Sequence, residues 1–175
     1  MADDGETWKR ICQKDADAFD AFYRENAPPL QAFLRQLVGD RQAAEDVLQE
    51  MFIQIWTRPN GFRPERGTLQ AYLFGIARKR AAEWWRKRGP FDPETENKTS
   101  FCQTETNSIM GDALRRLPEE QRTLLWLRAV EGLSYAELAV TLEIPVGTVS
   151  SRLFAAREEL RRIWRAPDKV RRRGA

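Results

Sequence analysis

Two stretches of this chain carry cations at spacings suited to gripping a polyanion. In Ile76-Ala77-Arg78-Lys79-Arg80-Ala81-Ala82-Glu83-Trp84-Trp85-Arg86-Lys87-Arg88, positive side chains interleave with tandem tryptophans. In Val146-Gly147-Thr148-Val149-Ser150-Ser151-Arg152-Leu153, which runs on through Arg157 to Trp164, hydroxyls and arginines share one segment. Such cations pair with phosphate oxygens, aromatic faces stack on unpaired bases, and an Arg fork matches the acceptor edge of guanine. This is binding chemistry, not bond-breaking chemistry. The chain has no His, and its two cysteines, Cys12 and Cys102, lie far apart. A Cys/His zinc site is therefore excluded and a disulfide framework is not expected. No phosphate-cradling Gly loop stands out either, so we expect neither an enzyme nor a bound metal or cofactor.

The second stretch needs a scaffold, and the preceding residues supply it. Leu117-Pro118-Glu119-Glu120-Gln121-Arg122 leads into the apolar run Leu124-Leu125-Trp126-Leu127, which ends at Glu131-Gly132-Leu133. Ser134 followed by Glu137 is a capping box, satisfying orphan backbone donors at a helix start. Tyr135, Leu138, Ala139 and Leu142 then recur at helical spacing. Pro145 suits the first position of a third helix, whose seam is Val149, Leu153, Ala156, Leu160 and Ile163. Two helices joined by a short turn, the second amphipathic and Arg-rich, fit a DNA-binding helix-turn-helix. A small helical bundle that binds no DNA fits the same pattern.

The first stretch ends a longer helical series. Asp15 to Asn26 carries Ala18, Phe19, Phe22 and Tyr23 on one side, and Pro28-Pro29 is expected to end that helix. Leu30 to Val38 reads as a second helix with Leu30, Phe33, Leu34 and Leu37 inward, closed by Gly39. Asp40 is a good N-cap for a third, reaching about Thr57, with Ala44, Val47, Leu48, Met51, Phe52, Ile55 and Trp56 in an unbroken three-four repeat. Its other surface holds Glu45, Asp46, Gln49 and Glu50. That face is either solvated or a docking site for a basic partner; periodicity does not choose. Arg58 to Gly67 is a loop. Thr68 then caps a fourth helix burying Leu69, Leu73, Ile76, Ala77 and Trp84. Neighbours on a helix point about 100° apart, so Trp85 is expected on the outer side with Arg78, Ala81 and Arg88. There it would serve as a base-stacking platform or a protein contact.

The 175 residues carry 29 Lys and Arg against 26 Asp and Glu, a net charge of only +3. The cations, however, collect at 78–88 and 152–173, while acids gather before residue 51 and at 92–105. Two basic patches on a nearly balanced chain suggest one polyanion held at two points. No apolar run approaches the roughly 18 residues of a membrane span, and the acidic start Met1-Ala2-Asp3-Asp4-Gly5-Glu6 is unlike a signal peptide. A cytoplasmic protein without membrane insertion is expected. We expect an all-α chain of two small helical domains, 1–88 and 112–166, joined by a flexible acidic linker at 89–111, with a basic tail at 167–175.

Taken together, these segments resemble the extracytoplasmic-function group of bacterial RNA polymerase sigma factors over about residues 15 to 164. The first half does so in Ala44-Glu45-Asp46-Val47-Leu48-Gln49-Glu50-Met51-Phe52 and Tyr72-Leu73-Phe74-Gly75-Ile76-Ala77-Arg78. The second does so in Leu117-Pro118, Gly132-Leu133-Ser134-Tyr135-Ala136-Glu137-Leu138-Ala139 and Gly147-Thr148-Val149-Ser150-Ser151-Arg152-Leu153. The resemblance implies a non-enzymatic factor that joins core RNA polymerase to promoter DNA and is held in check by an anti-sigma protein. It implies that Glu45, Asp46, Gln49 and Glu50 dock on the polymerase clamp. Loop Arg58–Gly67 and the fourth helix, with Arg63, Arg78, Lys79, Trp85 and Arg88, would open and hold the minus-ten element. Thr148, Ser150, Ser151, Arg152 and Arg157 would read the minus-thirty-five element. Tyr72 and Lys79 stand where this family often has Trp and Asn, Ser150 replaces a common Lys, and Phe154-Ala155 replaces a frequent His-Arg. Promoter preference therefore does not carry over. The helix-turn-helix alone would also suit an autonomous transcriptional regulator, though nothing in the sequence reads as the dimerising element such a protein normally needs. A sigma-mimicking adaptor for an anti-sigma protein would not need the DNA-facing arginines.

Overall fold

A computed structural model describes residues 4–88, 113–114 and 116–165. The linker expected at 89–111, with Cys102, and the tail at 167–175 lie outside the described residues. Those described form helices and no strands. The first unit contains α1 (Asp4–Cys12), α2 (Ala16–Val38), α3 (Arg41–Thr57) and α4 (Leu69–Lys87), with a 3-10 turn at Pro64–Arg66. The second contains α5 (Glu119–Ala129), α6 (Tyr135–Leu142) and α7 (Val146–Arg165).

Local chemistry sets most boundaries. Asp15, Asp40 and Thr68 each accept a backbone amide three residues on, from Ala18, Ala43 and Ala71. Gly39 closes α2 at φ 77 with its amide on the Arg35 carbonyl, a left-handed stop that glycine adopts without steric penalty. The capping box at Ser134 is present in full. Pro145 precedes α7, accepting from the amides of Thr148 and Val149, so it stands at the cap rather than the first turn.

The structure departs from the sequence reading in two places. Pro28-Pro29 does not split the first helix pair, since α2 runs unbroken through both. The prolines deprive the Arg24 and Glu25 carbonyls of donors, but both residues are exposed. Meanwhile Phe22, Ala27, Leu30, Phe33, Leu34 and Leu37 bury one continuous face that holds the two halves in line. The second miss is α1. Its only buried residues, Trp8 and Ile11, give a stripe too short to register as a period.

The core of the first unit is the α2–α3–α4 contact, with Phe33 and Phe74 edge to face at 5.1 Å. The buried members of the α3 repeat are as read, except that Trp56 is only half-buried. In the second unit Leu124, Leu127, Leu133, Leu138, Val149, Leu153 and Ala156 pack together, with α6 and α7 meeting at 100°. That is the helix-turn-helix geometry. The units touch where α6 lies on α4. Thr141, 1% exposed, donates its hydroxyl to the Ala71 carbonyl at 3.0 Å, Thr68 donates to Glu137 at 2.7 Å, and Lys79 bonds Glu143 at 2.6 Å.

Candidate nucleic-acid and protein interfaces

The acidic surface belongs to α3. While Val47, Leu48 and Met51 fill the core, Asp46, Gln49 and Glu50 are exposed on the other side. Asp46 accepts from the Gln42 amide at 3.2 Å. Glu45 is turned sideways and occupied: it accepts from Arg41 Nε at 2.9 Å and from Gln31 at 3.2 Å. Three of the four expected docking residues are thus presented together and the fourth is engaged within the chain. Ile53, 54% exposed, continues this face one turn beyond Glu50. Its position off the core repeat was visible in the sequence, yet an apolar residue on an acidic face drew no notice there.

The minus-ten candidates lie on the loop and on α4, and they do not share one surface. Arg63 is exposed just before the 3-10 turn. With Phe62, Arg66, Tyr72 and Lys79 it borders a cleft of about 240 Å³ whose other wall is Val140, Thr141 and Glu143 of the second unit. Gly61 makes room there, because a Cβ on it would come to 2.0 Å from the Tyr72 hydroxyl. Burial pushes the Tyr72 phenol above its usual range. The hydrogen bond from Lys79, followed by its charge, holds the Glu143 carboxyl below the ordinary range.

Arg78 and Trp85 face a second cleft, about 440 Å³, between α4 and the helix-turn-helix unit, with Leu124, Leu142 and Arg152 opposite. The outward facing expected for Trp85 is corrected here. It is half-buried, and its indole donates to the Leu37 carbonyl at 3.0 Å. That carbonyl lies in the last turn of α2, where helix geometry leaves acceptors without intrahelical donors, and Trp85 fills that vacancy. Ala81, expected outside, is 2% exposed. Arg88 stacks at 4.2 Å on Trp84, not on Trp85. Trp84 itself is only half-buried, packed against the core and edge to face with Trp85 at 4.9 Å.

On α7 the two faces separate cleanly. Val149, Leu153 and Ala156 are buried, whereas Ser150, Ser151, Arg152 and Arg157 are exposed and Thr148 is half-buried. Ser151 donates to the Thr148 carbonyl at 3.1 Å. Arg152 reaches Glu120 of α5 at 3.3 Å, an exposed pair of small energetic weight. Phe154, 66% exposed, projects from the same helix. Among the described residues no single helix is long and apolar enough to cross a membrane.

Comparison with known proteins matches residues 22–116 to sigma-70 region 2 and residues 108–160 to sigma-70 region 4. An ECF RNA polymerase sigma factor, RpoE, of Cereibacter sphaeroides is 30% identical over 158 residues, covering 85% of this chain and 87% of that protein. The RNA polymerase sigma-H factor of Pseudomonas aeruginosa is 29% identical over 172 residues, covering 87% and 89%. Among solved structures, the sigma factor RpoE of Bartonella quintana, in complex with the anti-sigma factor NepR, aligns with a TM-score of 0.66 at 25% identity, covering 86% of this chain and 98% of that one. CnrH in complex with the cytosolic domain of CnrY shares the fold with a TM-score of 0.72 at 22% identity, covering 94% and 99%.

Proposed function

This chain belongs to the extracytoplasmic-function group of sigma-70 RNA polymerase sigma factors, and from that membership we infer that it binds core RNA polymerase and directs promoter recognition and transcription initiation. The observation that carries the assignment to particular residues is a partition. Along α3 and α7 the apolar residues of the family-like segments fill the core, while most of the polar residues given binding roles stay outside it. Asp46, Gln49 and Glu50 are outward on α3, and Ser150, Ser151, Arg152 and Arg157 are outward on α7. We assign polymerase docking to the first group, with Glu45 as its neighbour held by Arg41. We assign minus-thirty-five contact to the second group, with Thr148.

Minus-ten contact is assigned to Arg63, Arg78, Lys79, Trp85 and Arg88. A major-groove helix on one unit and strand-contacting residues on the other would bind one duplex at two places, each adding salt-dependent phosphate attraction. The domains are assigned as 1–88 and 112–166. The factor performs no bond-breaking step in this reading; the polymerase supplies the catalysis. Its work then lies in the cytoplasm, and its second protein partner is an anti-sigma factor, as in the Bartonella complex. Transcription by core polymerase with and without this chain tests the assignment: promoter-dependent transcripts only in its presence support it, and equal output in both reactions contradicts it.

A further inference from the structure

The loop between α3 and α4 is held at both ends by the N-terminal helix. In the last turn of α3, where helix geometry leaves carbonyls without donors, the Lys14 ammonium bonds the Trp56 carbonyl and lies 3.4 Å from that of Thr57. Next, the Pro59 carbonyl accepts from the Trp8 indole at 2.9 Å, a buried bond, and from the Cys12 thiol at 3.5 Å. At the far end the Asp4 carboxylate accepts the backbone amide of Leu69, the first residue of α4, at 3.0 Å. In between, the Trp8 ring meets Phe62 edge-on at 5.4 Å and Tyr72 at 5.6 Å. Thus α1 and the turn after it grip the loop before, within and after its course. On α3 these contacts reach only the last turn, at Trp56 and Thr57, and none involves Asp46, Gln49 or Glu50.

We propose that α1 is the positioning element of loop 58–67, with Trp8 and Asp4 its principal residues. Their bonds fix the loop shape that presents Arg63 to a separated minus-ten strand, without contributing to polymerase docking. The physical reason is entropic. A short irregular segment anchored at three places has few conformations left to lose when it meets DNA, whereas a loosened one must be ordered at that moment. The inference rests on the promoter-recognition reading given above.

The test uses the full chain, core polymerase and a library of promoter duplexes randomised at both elements. Trp8→Phe keeps an aromatic ring beside Phe22, Phe62 and Tyr72 while removing the donor to Pro59; Asp4→Ala removes the acceptor for Leu69. The double variant is expected to keep core-polymerase affinity within about twofold and to enrich minus-thirty-five sequences as wild type does, while its minus-ten enrichment falls roughly tenfold. Unchanged minus-ten enrichment overturns the proposal. So does a parallel loss at both elements and in polymerase affinity, which would mean that α1 only supports the fold. A wild-type chain that enriches nothing contradicts the underlying functional reading instead, and is distinguished because the defect precedes any substitution.

Discussion

The ammonium of Lys79 on α4 lies 2.6 Å from the carboxylate of Glu143, the residue that closes α6 at φ 56. The bond ties the helix assigned to the minus-ten strand to the turn of the helix-turn-helix. Both side chains are more than half exposed, at 56% and 60%, so the pair is worth roughly 1 kcal/mol at most. Because Lys79 lowers the Glu143 pKa, the pair contributes stability above the ordinary value of 4.5 and loses it as pH falls through the lower folded value. Acidification below 4.5 is therefore expected to loosen the contact between α4 and α6. Energy transfer between dyes on α2 and α7 should report it, and Glu143→Gln should reduce that pH dependence, leaving the share of Glu137, which accepts from Thr68 across the same contact.

Arg152 is exposed and bonded only weakly to Glu120. Arg152→Ala should leave the melting temperature nearly unchanged, as surface substitutions typically shift stability by less than about 0.5 kcal/mol. Promoter affinity is expected to fall by roughly 1–3 kcal/mol, with relaxed preference at one base pair, if the guanidinium forks onto guanine. Titration against promoter variants in two salt concentrations checks this. A uniform loss on every sequence with a flatter salt slope would reassign Arg152 to phosphate.

The bond from Trp85 to Leu37 changes what the tandem tryptophans should do on substitution. Trp85→Phe keeps a stacking face and loses the donor, so it should cost about 1 kcal/mol of stability while sparing strand opening. Trp85→Ala should lower both. Trp84→Ala should cost less than the ~3–5 kcal/mol of a fully buried tryptophan, because its ring is only half-buried. Denaturant melts paired with permanganate footprints separate the two residues.

Gly61 offers a sharper probe of loop 58–67. Its substitution by Ala sets a methyl 2.0 Å from the Tyr72 hydroxyl and 3.0 Å from the ring carbon that bears it, so the ring or the loop must shift. Overpacking of this kind typically costs about 1–3 kcal/mol. Tyr72→Phe deletes the nearer atom, so the double variant should recover part of the loss in a denaturant melt.

What the sequence disclosed depended on range. The α3 repeat, the caps at Asp40, Thr68 and Ser134, and the buried seam of α7 were legible, because each is written within a few residues. Long-range partners were not. The acceptor of Trp85 lies 48 residues earlier and that of Trp8 lies 51 later, so helical facing placed Trp85 wrongly and α1 went unseen. Pro28-Pro29 misled for a related reason: the buried face that keeps α2 straight is a tertiary property. The acidic face of α3 was legible as a surface but not as a docking site, since only a partner gives it work; Glu45 proved to be occupied within the chain.

The central claim is that the exposed acids of α3 deliver this chain to core polymerase. The direct measurement is transcription from a promoter by core polymerase supplied with wild type or with Asp46→Lys/Glu50→Lys, alongside co-purification and circular dichroism. Both residues are exposed and outside the core, so the double reversal should leave the helical spectrum intact. The expected result is promoter-dependent transcript with wild type, and neither transcript nor co-purified polymerase with the folded double variant. Full transcription by that variant would contradict the account.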